Sequence, residues 1–393
     1  VQVKYRSTHA EINLDALGAN YNALRRNLPA GMKFLACVKA NAYGHGAVHI
    51  AKEMESLGAD YLSVAFLEEA LELRHAGITL PILVLGYTPP HGVKPAWEHD
   101  ITLNVFSYDV LEAIAALDHT QFAHKLKIHI KIDSGMGRLG LLCEEEAVEF
   151  IKAASCIPQL EVEGLFTHFA TADEEDKEYT MEQYQRFQGV VHALKEHGIL
   201  IPIIHTGNSA IAIDLSEFSC HMVRVGIAMY GLYPSNEVCK DKVKLTPILS
   251  LKTEISRVRK LPAGSVVSYG AKYVTEQDEY IATLPIGYAD GYSRMLGGKA
   301  QALVQGHLVP VVGTICMDQC MISLKNLAEE AKEIKVGEEV VLIGQQSGGE
   351  ITADELASAL GTIHYELTCM LAHRVPRLYK RTGVPDLLVN PLL

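Results

Sequence analysis

Between residue 33 and about residue 230, short apolar runs alternate with longer stretches whose apolar residues recur at helical spacing. Eight runs have strand length: Phe34–Lys39, Tyr61–Phe66, Ile82–Gly86, Ile101–Phe106, Leu126–Asp133, Val162–His168, Ile203–Thr206 and Met222–Gly226. Several are apolar at nearly every position, as expected of strands covered on both faces of a parallel sheet. Stretches 67–76, 144–154 and 176–197 predict helices, and Gly58, Gly77 and Gly198 stand where helix C-caps belong. Eight strand–helix units in roughly 200 residues predict an α/β fold built on a (β/α)8 TIM-like barrel. A doubly wound sheet alternates too, but needs fewer units.

After residue 244 the pattern changes. Short alternating runs predict strands at 248–258, 265–269, 279–285, 301–305, 308–315, 320–324 and 339–343. Turn signals separate them, among them Pro262-Ala263-Gly264 and Ser347-Gly348-Gly349. Thr352 is a natural N-cap for one helix, TADELASAL. The expected division is an N-terminal barrel, 1–244, followed by a C-terminal β-rich domain, 245–393.

Composition narrows the function. A chain of 393 residues has room for two domains, and 48% hydrophobic with 21% charged residues is ordinary for a globular protein. No apolar run reaches the roughly 18 residues of a membrane span. A net charge of −12 argues against a nucleic-acid backbone as partner. The first fifteen residues lack the apolar core of a secretory signal, and the 8 cysteines are scattered; reduced thiols in a cytoplasm are expected. Tyrosines are in excess, 17 against a single Trp, and serve either as apolar surface or as acid–base groups.

Barrel enzymes place their chemistry at the C-terminal ends of the strands. The first run ends at Lys39, a candidate Schiff-base amine or general base. Such a lysine can equally reach solvent along its stem. Tyr43 follows at i+4, on the same face if one helical turn forms. The fifth run ends in Lys131-Ile132-Asp133 with Arg138 beyond, the sixth at His168, the seventh at His205-Thr206-Gly207-Asn208-Ser209, and the eighth carries Arg224-Val225-Gly226-Ile227. The loops after the last two strands often hold phosphate; Ser209 offers a hydroxyl and Gly226 a bare N–H. Three motifs point elsewhere. Gly135-x-Gly137-x-x-Gly140 has dinucleotide-loop spacing, with the acidic residues Glu161 and Glu163 about the right distance on, but sits at the fifth strand rather than the first. His45 and His49 are spaced as in zinc helices, without the metalloprotease Glu or an evident third ligand, and Cys316-x-x-x-Cys320 lacks a second ligand pair, so no metal is expected.

Together these segments resemble the bacterial alanine racemases, which use pyridoxal 5'-phosphate. VKANAYGHG (38–46) is similar to the family's pyridoxal-lysine signature; KIDSGMGRLG (131–140), HTGNSA (205–210), RVGIAMYG (224–231), SYGA (268–271), PIGYADGYSR (285–294), GTICMDQ (313–319) and HYEL (364–367) extend the likeness over nearly the whole chain. The resemblance implies that Lys39 carries the cofactor and also acts as one base. Tyr269, supplied by a second subunit of a homodimer with shared sites, is the other, activated by His168 and Arg224. It gives the cofactor phosphate to Tyr43, Asn208, Ser209, Gly226, Ile227 and Tyr365, and the pyridine nitrogen to Arg224. The substrate carboxylate goes to Arg138 and the Met317 N–H, with Tyr288, Cys316 and Asp318 lining the site or its entrance. Lys131 matches a lysine that the family carries as a carbamate. The activity implied is interconversion of L- and D-alanine for peptidoglycan synthesis. A serine or broader racemase, a basic amino-acid decarboxylase and a non-catalytic pyridoxal phosphate carrier share parts of the pattern. The carrier has only the barrel, and the decarboxylases lack paired Lys and Tyr bases.

Overall fold

The computed structural model describes residues 5–118, 120 and 122–393, without the side chains of 328 and 329. Two compact units divide the chain. Residues 17–42 and 46–247 form one; the other gathers the N-terminal residues up to 16, residues 43–45 and residues 248–393.

All eight apolar runs of the first unit are strands. We number strands from the N-terminal β1 (His9–Asn13), which belongs to the other unit. The barrel strands are then β2 (Lys33–Cys37), β3 (Tyr61–Val64), β4 (Ile82–Val84), β5 (Ile101–Val105), β6 (Leu126–Lys131), β7 (Leu160–Phe166), β8 (Ile203–His205) and β9 (Met222–Val225). Every neighbouring pair is parallel, in the order β8-β7-β6-β5-β4-β3-β2-β9. The seam between β8 and β9 is bridged by Arg224 N–H to Gly207 O (3.0 Å) and His221 N–H to Ile204 O (2.8 Å), so the barrel is nearly closed. Burial on both faces explains the unbroken apolar runs: Phe34, Leu35 and Ala36 are fully buried although their side chains alternate sides. The expected helices lie at Leu67–His75, Glu144–Ser155 and Glu178–Glu196. The last buries Phe187, Val190, Val191 and Leu194, a stripe at i, i+3, i+4 and i+7.

The second unit is an eleven-stranded sheet. In spatial order it runs Arg257–Leu261, Glu279–Leu284, Cys320–Ser323, His307–Val312, Gln301–Val304, Glu339–Gln346, Leu249–Glu254, β1, Arg377–Arg381 and Val384–Val389, with Gly349–Ile351 paired to Glu339–Gln346. Ser347 and Gly348 both have positive φ and make the two-residue turn expected there. Thr352 caps the helix Ala353–Leu360 by accepting the Glu355 N–H (3.1 Å), while Glu355 accepts the Thr352 N–H (2.7 Å). One expectation needs correction. Residues 1–244 do not all join the barrel, because β1 pairs antiparallel with Leu249–Glu254 and parallel with Arg377–Arg381. Nothing in His9-Ala10-Glu11-Ile12-Asn13 shows that its partners lie more than two hundred residues away. Among the described residues, no helix is long and apolar enough to cross a membrane.

Two glycines with positive φ separate backbone strain from crowding. Gly58 (φ 86°) caps a helix with open space where a Cβ would go; a Cβ on Gly231 (φ 83°) would overlap the Thr246 carbonyl. Gly58→Ala should cost about 1–2 kcal/mol for the left-handed backbone alone. Gly231→Ala should cost about 1–3 kcal/mol more through overpacking. Urea denaturation of the two variants checks this; equal losses contradict it.

Candidate active site

The residue after β2 and Val38 is Lys39, half-buried. An ordinary helical turn was expected beyond it. Instead Ala40, Asn41, Ala42 and Tyr43 all have φ of 52–53°, one turn of left-handed helix made by four residues with a Cβ. Each such residue costs about 1–2 kcal/mol. Hydrogen bonds within the barrel unit hold the strained turn in place. Ala42 N–H reaches Val38 O (2.8 Å), Gly46 N–H reaches Asn41 O (2.9 Å), and Asn41 Oδ1 accepts the Ala47 N–H (2.8 Å). Glu69 accepts the Ala40 N–H (2.6 Å). Tyr43 falls among the β-rich residues, its ring 6.3 Å from that of Tyr365.

Arg224 lies on β9, whose register sets it against Leu35 of β2. It is buried, 4% exposed, and both of its Nη groups are hydrogen-bonded. Nη2 donates to the carbonyls of Thr167 (2.9 Å) and Thr206 (2.9 Å) and to His168 Nδ1 (3.1 Å); Nη1 donates to His205 Nδ1 (3.0 Å). Arginine has no acceptor, so both histidines must present a bare Nδ1. Burial, then the neighbouring charge, pushes His168 and His205 well below the usual histidine range, which keeps the rings neutral. Burial also lowers Arg224, to about 10, so it remains a cation at neutral pH. Phe166 makes the floor: His205 stacks on it with ring centroids 4.8 Å apart, and the Arg224 and Lys131 charges lie 5.4 and 4.9 Å from its centroid.

Lys131 ends β6. It is buried and its Nζ has no hydrogen-bond partner. Burial, with Arg224 and Arg138 nearby, holds this amine well below the ordinary lysine range. Arg138 is carried by a loop wrapped around the Asp133 carboxylate, which accepts the N–H groups of Gly135 (3.0 Å), Gly137 (3.0 Å) and Arg138 (2.9 Å). That disposes of the dinucleotide spacing, since the amides a pyrophosphate would need are taken by Asp133. Past β8, Asn208 caps the helix Ser209–Asp214 by accepting the Ile211 N–H (3.1 Å), and Ser209 Oγ accepts the Gly226 N–H (2.9 Å). Ile227 opens the turn that follows. The barrel unit therefore brings Lys39, Lys131, Arg138, His168, Asn208, Ser209, Arg224, Gly226 and Ile227 to the C-terminal ends of five strands. Arg224, Lys131, Arg138 and Lys39 all bear electrostatically on His168. This is a site that attracts anions.

The β-rich unit gathers a second set. Tyr269 stands on a turn with positive φ at Ser268, Gly270 and Ala271, and its carbonyl accepts from Thr314 Oγ1 (2.8 Å). Loop 313–319 is bonded to loop 287–291 through Tyr288 N–H to Cys316 O and Ala289 N–H to Met317 O, both 3.0 Å. Gly287 is needed there, because a Cβ would overlap both carbonyls. Asp318 pairs with Arg374 (2.6 Å), which also holds the fully buried Asp290 (2.7 Å). Tyr269, Tyr288 and Met317 are 72%, 41% and 53% exposed within this chain.

The profile "Alanine racemase, N-terminal domain" matches residues 12–234, and "Alanine racemase, C-terminal domain" matches 248–379. The chain belongs to the alanine racemase family. An alanine racemase of Clostridium novyi is 45% identical over 379 residues, 96% of each chain. The solved alanine racemase of Clostridium difficile 630 superposes with a TM-score of 0.94 at 42% identity, covering 100% of both chains. A solved histidine racemase from Leuconostoc mesenteroides superposes at 0.88 with 31% identity, covering 97% of this chain and 100% of that one. Against this racemase fold, sequence reasoning passed over His129 and took Glu163 only as an acidic residue at dinucleotide spacing; both stand behind His205. The one legible signal was Lys127-x-His129-x-Lys131, three polar residues on one face of an otherwise apolar strand.

Burial alone would raise the Asp133 carboxyl, but the loop N–H donors outweigh it and hold the group below the ordinary aspartate range. A depressed folded-state value stabilises the fold above the unfolded value of about 3.9 and loses that stabilisation as pH falls through the folded value. Asp133→Ala should therefore cost about 2 kcal/mol at pH 7, and the gap to wild type should close below about pH 4. Denaturant titrations across pH check this; a gap unchanged down to about pH 2 contradicts it.

Proposed function

We propose that this chain is a pyridoxal 5'-phosphate-dependent alanine racemase that interconverts L- and D-alanine in the cytoplasm, supplying D-alanine for peptidoglycan. The observation that carries the reading is the cation cluster at the strand ends: a lysine amine, a buried guanidinium and the Ser209–Gly226 pair on neighbouring strands. This donor set fits pyridoxal phosphate, whose aldehyde, ring nitrogen and phosphate need an amine, a polar ring partner and a small-residue loop. Bound there, the cofactor supplies an electron-withdrawing ring that acidifies the substrate Cα–H bond.

The chain's own residues do the rest. Lys39 holds the cofactor and moves a proton at Cα. Tyr269 moves the other from the opposite face, which is what inverts the centre. Tyr43, Asn208, Ser209, Gly226, Ile227 and Tyr365 hold the phosphate. Arg224 donates to the ring nitrogen and, with His168, sets the charge around the reacting groups. Arg138 and the Met317 N–H hold the substrate carboxylate, and Tyr288, Cys316 and Asp318 line the approach. Burial lowers the Lys131 amine and so favours carbamate formation, in which nitrogen adds to carbon dioxide and releases a proton; the resulting anion would lie with Arg138. The exposure of Tyr269, Tyr288 and Met317 supports a homodimer in which each β-rich unit serves its partner's Lys39. The likeness to a histidine racemase supports a second reading, a broader substrate range.

The decisive assay is L-alanine in deuterated water, following optical rotation and Cα deuterium together, with L-serine and L-histidine alongside. Both signals should change with alanine fastest. Lys39→Ala and Tyr269→Ala should each lose about three orders of magnitude or more, in the range of lost acid–base catalysis. Mixing the two dead variants should restore a fraction of the activity. No alanine turnover by wild type overturns the function, and no restoration in verified mixed dimers overturns the shared site.

A further inference from the structure

Behind Arg224 the barrel interior holds a polar column that the proposed reaction does not use. His205 Nε2 is 2.8 Å from His129 Nδ1, and His129 Nε2 is 3.0 Å from Glu163 Oε2. Glu163 Oε1 accepts from the Tyr61 hydroxyl (3.2 Å) and lies 3.3 Å from Lys127 Nζ. Both histidines are fully buried and Glu163 nearly so. The interior of a (β/α)8 barrel is ordinarily filled by branched aliphatic residues. Buried ions are retained there at a cost unless they serve something.

The direction of the column follows from its two ends. Arg224 can only donate, so His205 accepts at Nδ1 and carries its proton on Nε2. That proton is donated to His129 Nδ1, and His129 in turn donates from Nε2 to Glu163. An ionised carboxylate can only accept, so the far end demands the same order. Burial would raise the Glu163 carboxyl, yet the His129 bond and the Lys127 charge bring it below the ordinary glutamate range, so it stays ionised. The backbone is shaped for this arrangement. The β6–β7 register slips so that Ile128 faces Val162 and His129 faces Gly164, leaving Glu163 as the extra residue of a bulge. Bulges re-aim side chains. Gly164 makes room as well, because a Cβ there would overlap the His129 ring.

We propose that Glu163 and His129 are positioning residues for the reaction: through His205 they lock the hydrogen-bond direction of Arg224, and so keep its guanidinium fixed toward the cofactor ring. The proposal rests on the pyridoxal phosphate reading for its consequence, but not for its geometry. An amide at position 163 can donate to His129 Nε2, which permits the column to reverse. Reversed, His205 would present Nδ1–H to Arg224, and the guanidinium would lose an acceptor.

The test uses 15N-histidine-labelled holoenzyme, wild type and Glu163→Gln, with His129→Gln for assignment. In wild type, both buried imidazoles should be neutral and protonated at Nε2, with exchange-protected N–H signals. In Glu163→Gln at least one of those signals should move or vanish. Its kcat for L-alanine should fall about tenfold, the size of loss seen when an outer hydrogen-bond partner is removed. KM should stay within about twofold, because the substrate contacts are untouched. A proton on Nδ1 of either ring in wild type overturns the proposal whether or not the variant folds. Wild-type kcat with unchanged imidazole signals in folded Glu163→Gln overturns it too. The imidazole spectra need no turnover, so a wild type that fails to racemise alanine would refute the functional reading while leaving the column's polarity separately decided.

Discussion

A guanidinium with no acceptor, buried inside a barrel, is the constraint around which the first unit is organised. Arg224 must find oxygen or bare nitrogen for its N–H groups, because an unpaired buried cation costs several kcal/mol. It finds the carbonyls of Thr167 and Thr206 and the Nδ1 atoms of His168 and His205. Those contacts draw the ends of β7, β8 and β9 together and fix two histidine tautomers. They also leave the barrel interior cationic, with Glu163 as the counter-charge at the other end of the column. The anion preference of the strand ends is thus a consequence of how the interior is satisfied, not a separate feature laid on a neutral scaffold.

Strain is concentrated where Lys39 leaves its strand. Four successive residues in the left-handed region would not persist on local preference. They persist because Val38 accepts the Ala42 N–H, Glu69 accepts the Ala40 N–H and the Asn41 carbonyl accepts the Gly46 N–H. Among the β-rich residues, Gly44 has a positive φ where a Cβ would overlap the Thr368 carbonyl, and its own carbonyl is held by Arg377 through Nε (3.1 Å) and Nη2 (2.9 Å). The bonds at Ala40, Asn41 and Ala42 fix the backbone from which Lys39 projects.

The eight barrel strands were legible because burial on both faces writes itself into the sequence as unbroken apolar runs. The β-rich strands were legible in part, where period-2 alternation and turn residues coincide. β1 was assigned to the wrong unit because a strand's pattern says nothing about its partners. Arg377–Arg381, apolar only at Leu378 and Tyr379, and Val384–Val389, a largely exposed edge strand interrupted by Pro385 and Asp386, were missed. The left-handed turn left no trace, since Ala40, Asn41, Ala42 and Tyr43 carry no glycine to announce it. Among site residues, Lys39, Arg138, His168 and Arg224 stood at strand ends where the fold itself directs attention. Tyr269 and Met317, in loops of the β-rich unit, were reached only through resemblance to the family. Glu163 was legible only as an acidic residue at dinucleotide spacing, because its place against His129 comes with a bulge.

The central claim is that the amine at the end of β2 is the one that carries the cofactor. Borohydride reduction of pyridoxal phosphate-loaded protein, followed by peptide mass mapping, tests it most directly. The account predicts one pyridoxyl group per chain, on the peptide containing Lys39. A label on Lys131 or any other lysine, with Lys39 unmodified, would contradict it.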